Sequence, residues 1–315
     1  EADFEQRWDV YDLFYQLSRL GNPTWAPGRQ GVAGYDDVFP WEDDVAGNNG
    51  QAQVTESLAV FASADWYLNE QWTLTAGFRW TEEEKDFVGG ASAPGYYPDR
   101  SEPWPGIFNP FFAKAKWTET TPKVGVRYQP SDDVMYYASY SEGFKSGGFF
   151  GRQANFNIYP GYDPEYVKNF ELGMKSTWLE GRMIFNASAF IAKYEDKQES
   201  ILIPVDLSNV ATVVRNAAAL DMNGIELELM YQITDAWDVM TNYGHMSSEY
   251  DNYLADLNGD NVITDNSGLT PRNTPENTFG LTTSYTVPVG NGDLKTRLSY
   301  RFRDKMEANA SNAAL

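Results

Sequence analysis

Apolar and polar residues alternate with a period of two along this chain from about residue 54, the mark of strands with one apolar and one wet face. Val54, Leu58, Val60, Ala62, Ala64, Trp66 and Leu68 share one face, against Thr55, Ser57, Ser63 and Asp65, with Phe61 an exception. Trp72, Leu74, Ala76, Phe78 and Trp80 then oppose Gln71, Thr73, Thr75, Gly77 and Arg79. The pattern returns with Phe170, Leu172, Met174 and Trp178, with Ile225, Leu227, Leu229 and Tyr231, and with Leu294, Leu298, Tyr300 and Phe302. A soluble sandwich alternates in the same way, so the period does not choose between them. Length is more telling: the runs extend over roughly 14–20 residues, against 3–10 in ordinary sheets and about 9–11 for a tilted membrane crossing.

The connections point the same way. Tight turns fall at Asn69-Glu70, Pro130-Ser131-Asp132-Asp133, Glu180-Gly181, Thr234-Asp235 and Gly290-Asn291-Gly292-Asp293. Long links near 87–114, 150–165, 196–213 and 251–274 lie between them. Short and long connections in strict alternation predict an all-β, antiparallel transmembrane β-barrel, with short periplasmic turns and longer extracellular loops. Trp66 and Trp72 flank the first turn, Tyr128 and Tyr136 the second, Tyr231 and Trp237 the fourth; Trp178 and Tyr285 lie close to the third and fifth. Rings recurring beside the turns predict an interfacial girdle, although aromatic residues also favour strands in general.

Composition narrows the picture. The 315 residues carry a formal charge of −21, which argues against nucleic acid as a partner. There is no cysteine, hence no disulfide framework or thiolate metal site. No apolar run is long enough for a transmembrane helix, so a spanning chain has to close its backbone hydrogen bonds between strands. Aromatic residues reach 15%, a share that suits a wall between lipid and water.

Three parts are expected. Residues 1–52 read as an extracellular loop region in which Val10, Leu13, Phe14, Leu17 and Leu20 follow helical spacing up to Gly21. Residues 53–307 read as about ten barrel strands with their turns and loops, and 308–315 as a truncated end. Both ends are read as truncations.

The ordered series Ser57-Leu-Ala-Val-Phe-Ala-Ser-Ala-Asp-Trp-Tyr-Leu, Trp72-Thr-Leu-Thr-Ala-Gly-Phe-Arg-Trp-Thr, Thr121-Pro-Lys-Val-Gly-Val-Arg-Tyr and Met135-Tyr-Tyr-Ala-Ser-Tyr-Ser-Glu-Gly-Phe-Lys-Ser-Gly-Gly-Phe resembles successive barrel segments of TonB-dependent outer-membrane receptors. Pro164-Glu-Tyr-Val-Lys-Asn-Phe-Glu-Leu-Gly-Met-Lys-Ser and Asn223-Gly-Ile-Glu-Leu-Glu-Leu continue it, so that the resemblance covers about 51–305. It implies a barrel of about 22 strands filled by a plug domain that lies outside this sequence. It also implies uptake of a scarce ligand, typically a ferric siderophore and in other branches cobalamin or carbohydrate, with energy from the TonB–ExbB–ExbD complex reached through the plug. Passive porin and adhesion-type barrels share the same strand physics. Outer-membrane lipid and lipopolysaccharide would surround the wall, and a small-molecule or glycan ligand would meet the loops.

Aromatic and cationic loop residues are the ligand-binding candidates: Trp25, Trp41, Tyr96, Tyr97, Arg100, Trp104, Phe111, Phe112 and Arg152. Rings stack on catecholates or sugars and cations pair with anionic chelates, but the same rings serve equally to pack loops together. Asp256, Asn258, Asp260, the Val262 carbonyl and Asp265 imitate a Ca²⁺ loop over 256–267, with Asn261 at the usual glycine and Ser267 at the usual bidentate glutamate. A solvated acidic loop is the alternative. Gly143, Gly147 and Gly148 are read as positions of bending or close backbone approach. Lys295, Arg297, Arg301 and Arg303 should line the lumen opposite Glu171, Glu226 or Glu228, or against the plug. The single histidine, His245, makes no triad or metal cluster in the sequence, and no catalytic constellation appears.

Overall fold

Period-two alternation has one structural outlet, the pleated strand. The computed structural model describes residues 2–9, 49–92, 107–149, 161–204, 210–257 and 262–309. The strands are β1 (Ala2–Asp9), β2 (Asn49–Tyr67), β3 (Trp72–Ser92), β4 (Ile107–Ser131), β5 (Val134–Lys145), β6 (Glu165–Trp178), β7 (Met183–Pro204), β8 (Val210–Thr234), β9 (Trp237–Ala255), β10 (Thr264–Asp265), β11 (Asn277–Val289) and β12 (Gly292–Arg303). Eleven of them run in sequence order through one antiparallel sheet, and the two-residue β10 pairs only with β9. The ten expected strands are β2–β9, β11 and β12. Five of their nine neighbour pairings follow from tight hairpins, since a short turn leaves the next strand nowhere to go but alongside, and the other four are made across the long links.

The turns close as their residues dictate. Asn69 Oδ1 accepts the amides of Gln71 at 2.9 Å and Trp72 at 3.0 Å, an Asx turn ahead of β3. Glu180 and Gly181 take φ of 57° and 88°, the left-handed pair that matches the twist of a hairpin.

Two boundaries differ from expectation. Ala2–Asp9 is paired with β2 rather than looped, because Phe4 and Trp8 alternate with Asp3, Glu5, Arg7 and Asp9. The helical spacing over 10–21 lies outside the described residues. At the other end of the strands, β3, β4, β7, β8 and β9 run further into the long links than alternation suggested, and the extra length passes through register shifts at Gly89/Ala91 and Tyr194/Lys197. Ladder hydrogen bonds persist there after the apolar face has ended, and the bulges absorb the change of pattern.

The cross-strand register defines the faces. Trp72, Tyr128, Tyr136, Met174, Ala187, Leu227, Tyr243, Phe279 and Phe302 form one continuous row on the apolar face. Trp72 stacks on Tyr128 with centroids 4.5 Å apart, and Trp66, Trp178 and Tyr285 stand exposed beside their turns. Further from the turns the same face changes chemistry within one pleat. Lys116 pairs with Glu82 at 2.6 Å, Lys114 with Glu84, Lys168 with Glu195 at 2.7 Å and Lys193 with Asp221 at 3.0 Å. From Trp72 to Glu82, from Trp178 to Lys168 and from Tyr231 to Asp221 the chain advances about ten residues, which at about 3.3 Å each and a tilt near 40° gives a band ~25 Å tall. That is the height of a bilayer's apolar interior.

Candidate functional site

The opposite, polar face is built from short and charged side chains. Tyr137 donates its phenolic proton to Glu171, and Asn186 Nδ2 donates to Glu228 at 2.9 Å. Gly173 lies directly under the Tyr137 ring, where any Cβ would collide with it. Tyr137, Asn186 and Glu228, together with Lys175, Ser188, Glu226, Asn242 and Thr278, border a concavity of about 420 Å³. Lys295, Arg297, Arg301 and Arg303 share one exposed face of β12, whereas Glu171 lies on β6 and Glu226 and Glu228 on β8, so no expected cross-lumen ion pair forms among the described residues.

At the loop end, two segments fold back over this polar face. The first follows β5. Lys85 Nζ donates to Ser146 Oγ at 2.8 Å and to the Gly147 carbonyl at 2.7 Å, with Glu83 at 3.0 Å and the Trp117 ring beneath it at 5.5 Å. Ser146 in turn donates to Glu83, which faces Trp117 directly in the β3–β4 register. Phe149 stacks on Phe87 at 5.4 Å. Gly147 is wedged between Trp117 and the Tyr162 carbonyl, and Gly148 forms a two-hydrogen-bond bridge with Tyr162. These glycines therefore serve close backbone approach, as the sequence suggested. The returning chain is held by Gln198 Nε2 on the carbonyls of Ser146 and Asp163, each at 3.0 Å, and by Asn216 Nδ2 on Asp163 and Asp196 at 2.8 and 2.7 Å.

The second segment follows β9. Ile201, Val213, Ala218, Leu220, Tyr250, Tyr253 and Ala255 form a buried cluster against which Leu257 and Leu269 pack. Leu220 pairs with Tyr250 and belongs to the alternate positions of β8 that include Glu226, so the cluster lies on the polar face. At its centre Glu199 is fully buried. Lys197 Nζ lies 3.1 Å from Oε1, Arg272 Nε lies 3.1 Å from Oε2, and the Tyr250 hydroxyl donates to Oε1 at 3.2 Å. A carboxylate at this depth is tolerated only with such partners. Burial, and then the Glu199 charge, push the Tyr250 and Tyr253 phenols above the usual tyrosine value. Glu199 Oε2 and the Tyr253 hydroxyl are both buried without a hydrogen-bond partner among the described residues, so Arg272 meets Oε2 as an ion pair alone.

Of the ligand-binding candidates, Trp25, Trp41, Tyr96, Tyr97, Arg100, Trp104 and Arg152 lie outside the described residues, and of Phe111 only the backbone is described, in β4. Phe112 is exposed on the apolar-face side of β4, next to Lys114 and Glu84. In the Ca²⁺-like loop, Asn258 and Asp260 lie outside the described residues. Asp256 is buried and Val262 exposed, while Asp265, in β10, accepts the Ser267 amide at 3.0 Å, which holds its carboxyl below the ordinary value. Lys85, Trp117, Glu199, Tyr250, Tyr253 and Arg272 were not legible as site residues. Their one sequence signal is position: each stands where a strand continues past the charged row or where a long loop returns to it.

The family model described as TonB dependent receptor-like, beta-barrel matches residues 2–314. The ferric-pyoverdine 358 receptor of Pseudomonas putida is 30% identical over 169 residues, 53% of this chain and 18% of that protein. The probable TonB-dependent siderophore receptor PiuA of Acinetobacter baumannii is 25% identical over 202 residues, 62% of this chain and 24% of its own length. Among solved structures, the ferric yersiniabactin uptake receptor FyuA from Yersinia pestis superposes with a TM-score of 0.62 at 19% identity, over 84% of this chain and 37% of that one. The PiuA structure gives 0.61 at 20% identity, over 83% and 35%. Identities this low establish the fold alone, and the chain spans about a quarter or less of the two curated relatives.

Proposed function

This chain belongs to the TonB-dependent receptor β-barrel family, the wall of an outer-membrane receptor of Gram-negative bacteria, and from that premise we propose that the whole protein imports a ferric siderophore with energy supplied by TonB. The observation that carries the reading is the match along 2–314 together with relatives named for ferric-pyoverdine and siderophore reception. The family consists of transport receptors rather than enzymes. On this reading the apolar face meets lipid and the polar face lines the lumen. The tight turns are periplasmic, the long loops are extracellular, and the segments folded over the polar face narrow the mouth.

The reading is tested by deleting the gene in its host and restoring the intact gene, then following uptake of radioactive iron as a ferric chelate. Uptake should vanish on deletion, return on restoration, and stop when a protonophore collapses the inner-membrane gradient while surface binding persists. Uptake indifferent to the protonophore would point to a passive porin. An unaltered uptake on deletion would favour adhesion.

A further inference from the structure

Both folded-back segments are anchored on one short stretch of β7. There the β7–β8 register shifts twice, with Tyr194 opposite Leu220, Lys197 opposite Ala218 and Gln198 opposite Asn216. The shifts cancel, because the spacing from Tyr194 to Gln198 equals that from Leu220 to Asn216, so the kink is local. Inside it Asp196 takes a φ of 51°, a left-handed value that aspartate tolerates better than most residues. Gln198 and Glu199 follow, and both are buried, at 4% and 0% exposure. Neighbours on a strand point to opposite sides, so each needs a cover of its own. Gln198 Nε2 donates to the Ser146 and Asp163 carbonyls of the first segment, and its amide donates to Glu165 Oε2, at the start of β6, at 2.9 Å. Glu199 takes the ion pair from Arg272 of the second segment. Asn216 ties the kink to the first segment: Nδ2 donates to the Asp196 carbonyl at 2.7 Å and to the Asp163 carbonyl at 2.8 Å, while Oδ1 accepts the Asp163 amide at 2.7 Å.

We propose that the kinked stretch 196–199 couples the two segments, so that freeing either one from the wall loosens the other. Lifting the second segment takes Arg272 from Glu199, and a buried carboxylate that loses a counter-ion turns toward water. One peptide bond separates Glu199 from Gln198, so that turn draws Gln198 off its two carbonyls. Lifting the first segment frees Asn216 from Asp163, the kink relaxes, and Glu199 moves away from Arg272. Coupling of this kind is carried by a continuous chain of hydrogen bonds and ion pairs, and it works by the same factor in both directions. Two independent pins are the competing account, in which each segment opens without regard to the other. The coupling belongs to the fold at the loop end and stands or falls apart from the import reading.

The test is hydrogen exchange of the full-length receptor in detergent, read by mass spectrometry at 146–149 and 161–163 for the first segment and at 264–272 for the second. Gln198→Ala leaves two carbonyls without their donor and should speed exchange of the first segment by about tenfold or more. It should also speed the second segment, which it does not touch, by about fivefold. Arg272→Gln should act in the opposite sense, mainly on the second segment, with the same cross factor on the first. The double variant should open each segment by less than the product of the single effects. Lys85→Met and Leu269→Ala act on the two segments away from β7, and each should likewise loosen the segment it does not touch. They keep the test open should the first pair misfold, as judged by heat-modifiable migration. Effects confined to each variant's own segment, unequal cross factors, or a double variant equal to the product overturn the coupling in favour of separate pins.

Discussion

At the turn end of the sheet Trp66, Trp178 and Tyr285 stand exposed and the hairpins close in a few residues, whereas at the loop end Tyr250 and Tyr253 are buried over a charge. Both ends belong to the same long strands and draw on the same residue types. On the proposed membrane placement the turn end leaves its rings to a lipid interface, so it needs no internal core. On the same placement the loop end stands in water above the ~25 Å band and supplies its own cover by folding loops back onto the polar face. Aromatic residues in a barrel wall thus do two different jobs, and the charged row at Glu82, Lys168 and Asp221 marks where one gives way to the other.

Five substitutions and one titration sharpen that contrast. Glu199→Ala strands Lys197 and Arg272 without their counter-ion and should open the segment after β9 at a cost of about 3–5 kcal/mol, with the lower end favoured by the partial exposure of Arg272. Limited proteolysis between Leu257 and Pro271 reads it, and an unchanged cleavage rate would remove the buried charge from the account. Leu172→Arg, midway between Trp178 and Lys168 on the apolar face, should destabilise the protein in vesicles by about 2–4 kcal/mol. Phe61→Arg, on the polar face and 71% exposed, should change unfolding by less than about 0.5 kcal/mol. Equal effects at the two sites would erase the distinction between faces. Gly173→Val drives a side chain into the Tyr137 ring and should cost about 1–3 kcal/mol, with loss of the Tyr137–Glu171 hydrogen bond visible in the tyrosine absorbance.

Tyr250 supplies the titration. Its folded value is raised, so its contribution is complete below the ordinary tyrosine value near 10 and is lost as pH rises through the folded value. Proteolysis of the folded-back loop should therefore stay level through neutral pH and quicken only above about pH 10. A rise in cleavage near neutrality would contradict the assignment. Lys114→Ala, which removes an exposed pair in the charged row, should leave stability unchanged.

How much of this could be read in advance divides along the same boundary. Alternation and turn chemistry are local, so the ten strands, their order and the exposed rings beside the turns, from Trp66 to Tyr285, were legible from neighbouring residues alone. β1 was missed because its alternation, Phe4 and Trp8 among charges, runs into the helical spacing that begins at Val10. The folded-back segments were missed for a different reason. Glu199 falls in the expected 196–213 link with nothing to single it out until Arg272 arrives from a later loop, and Lys85 gains its partners only when Ser146 and Gly147 return onto it. Burial that depends on such distant returns leaves no period in the sequence. The aromatic loop residues that did stand out, such as Trp25 and Trp104, lie outside the described residues, and Phe112 proved to point away from the polar face.

The division of every strand into a lipid face and a lumen face carries all the rest, and the absence of cysteine from these 315 residues lets each strand position be labelled singly once any cysteine elsewhere in the receptor is replaced. Single cysteines placed in turn along 183–193 and 221–231 of the full-length receptor in vesicles, each spin-labelled, would report oxygen against water-soluble relaxant accessibility. The account predicts alternation residue by residue, with Ala187, Leu227 and Ile225 oxygen-rich and Ser188, Glu226 and Glu228 water-accessible, ending abruptly at Lys193 and Asp221. Uniform water accessibility on both faces, or a lipid signal that continues past those charges, would contradict it.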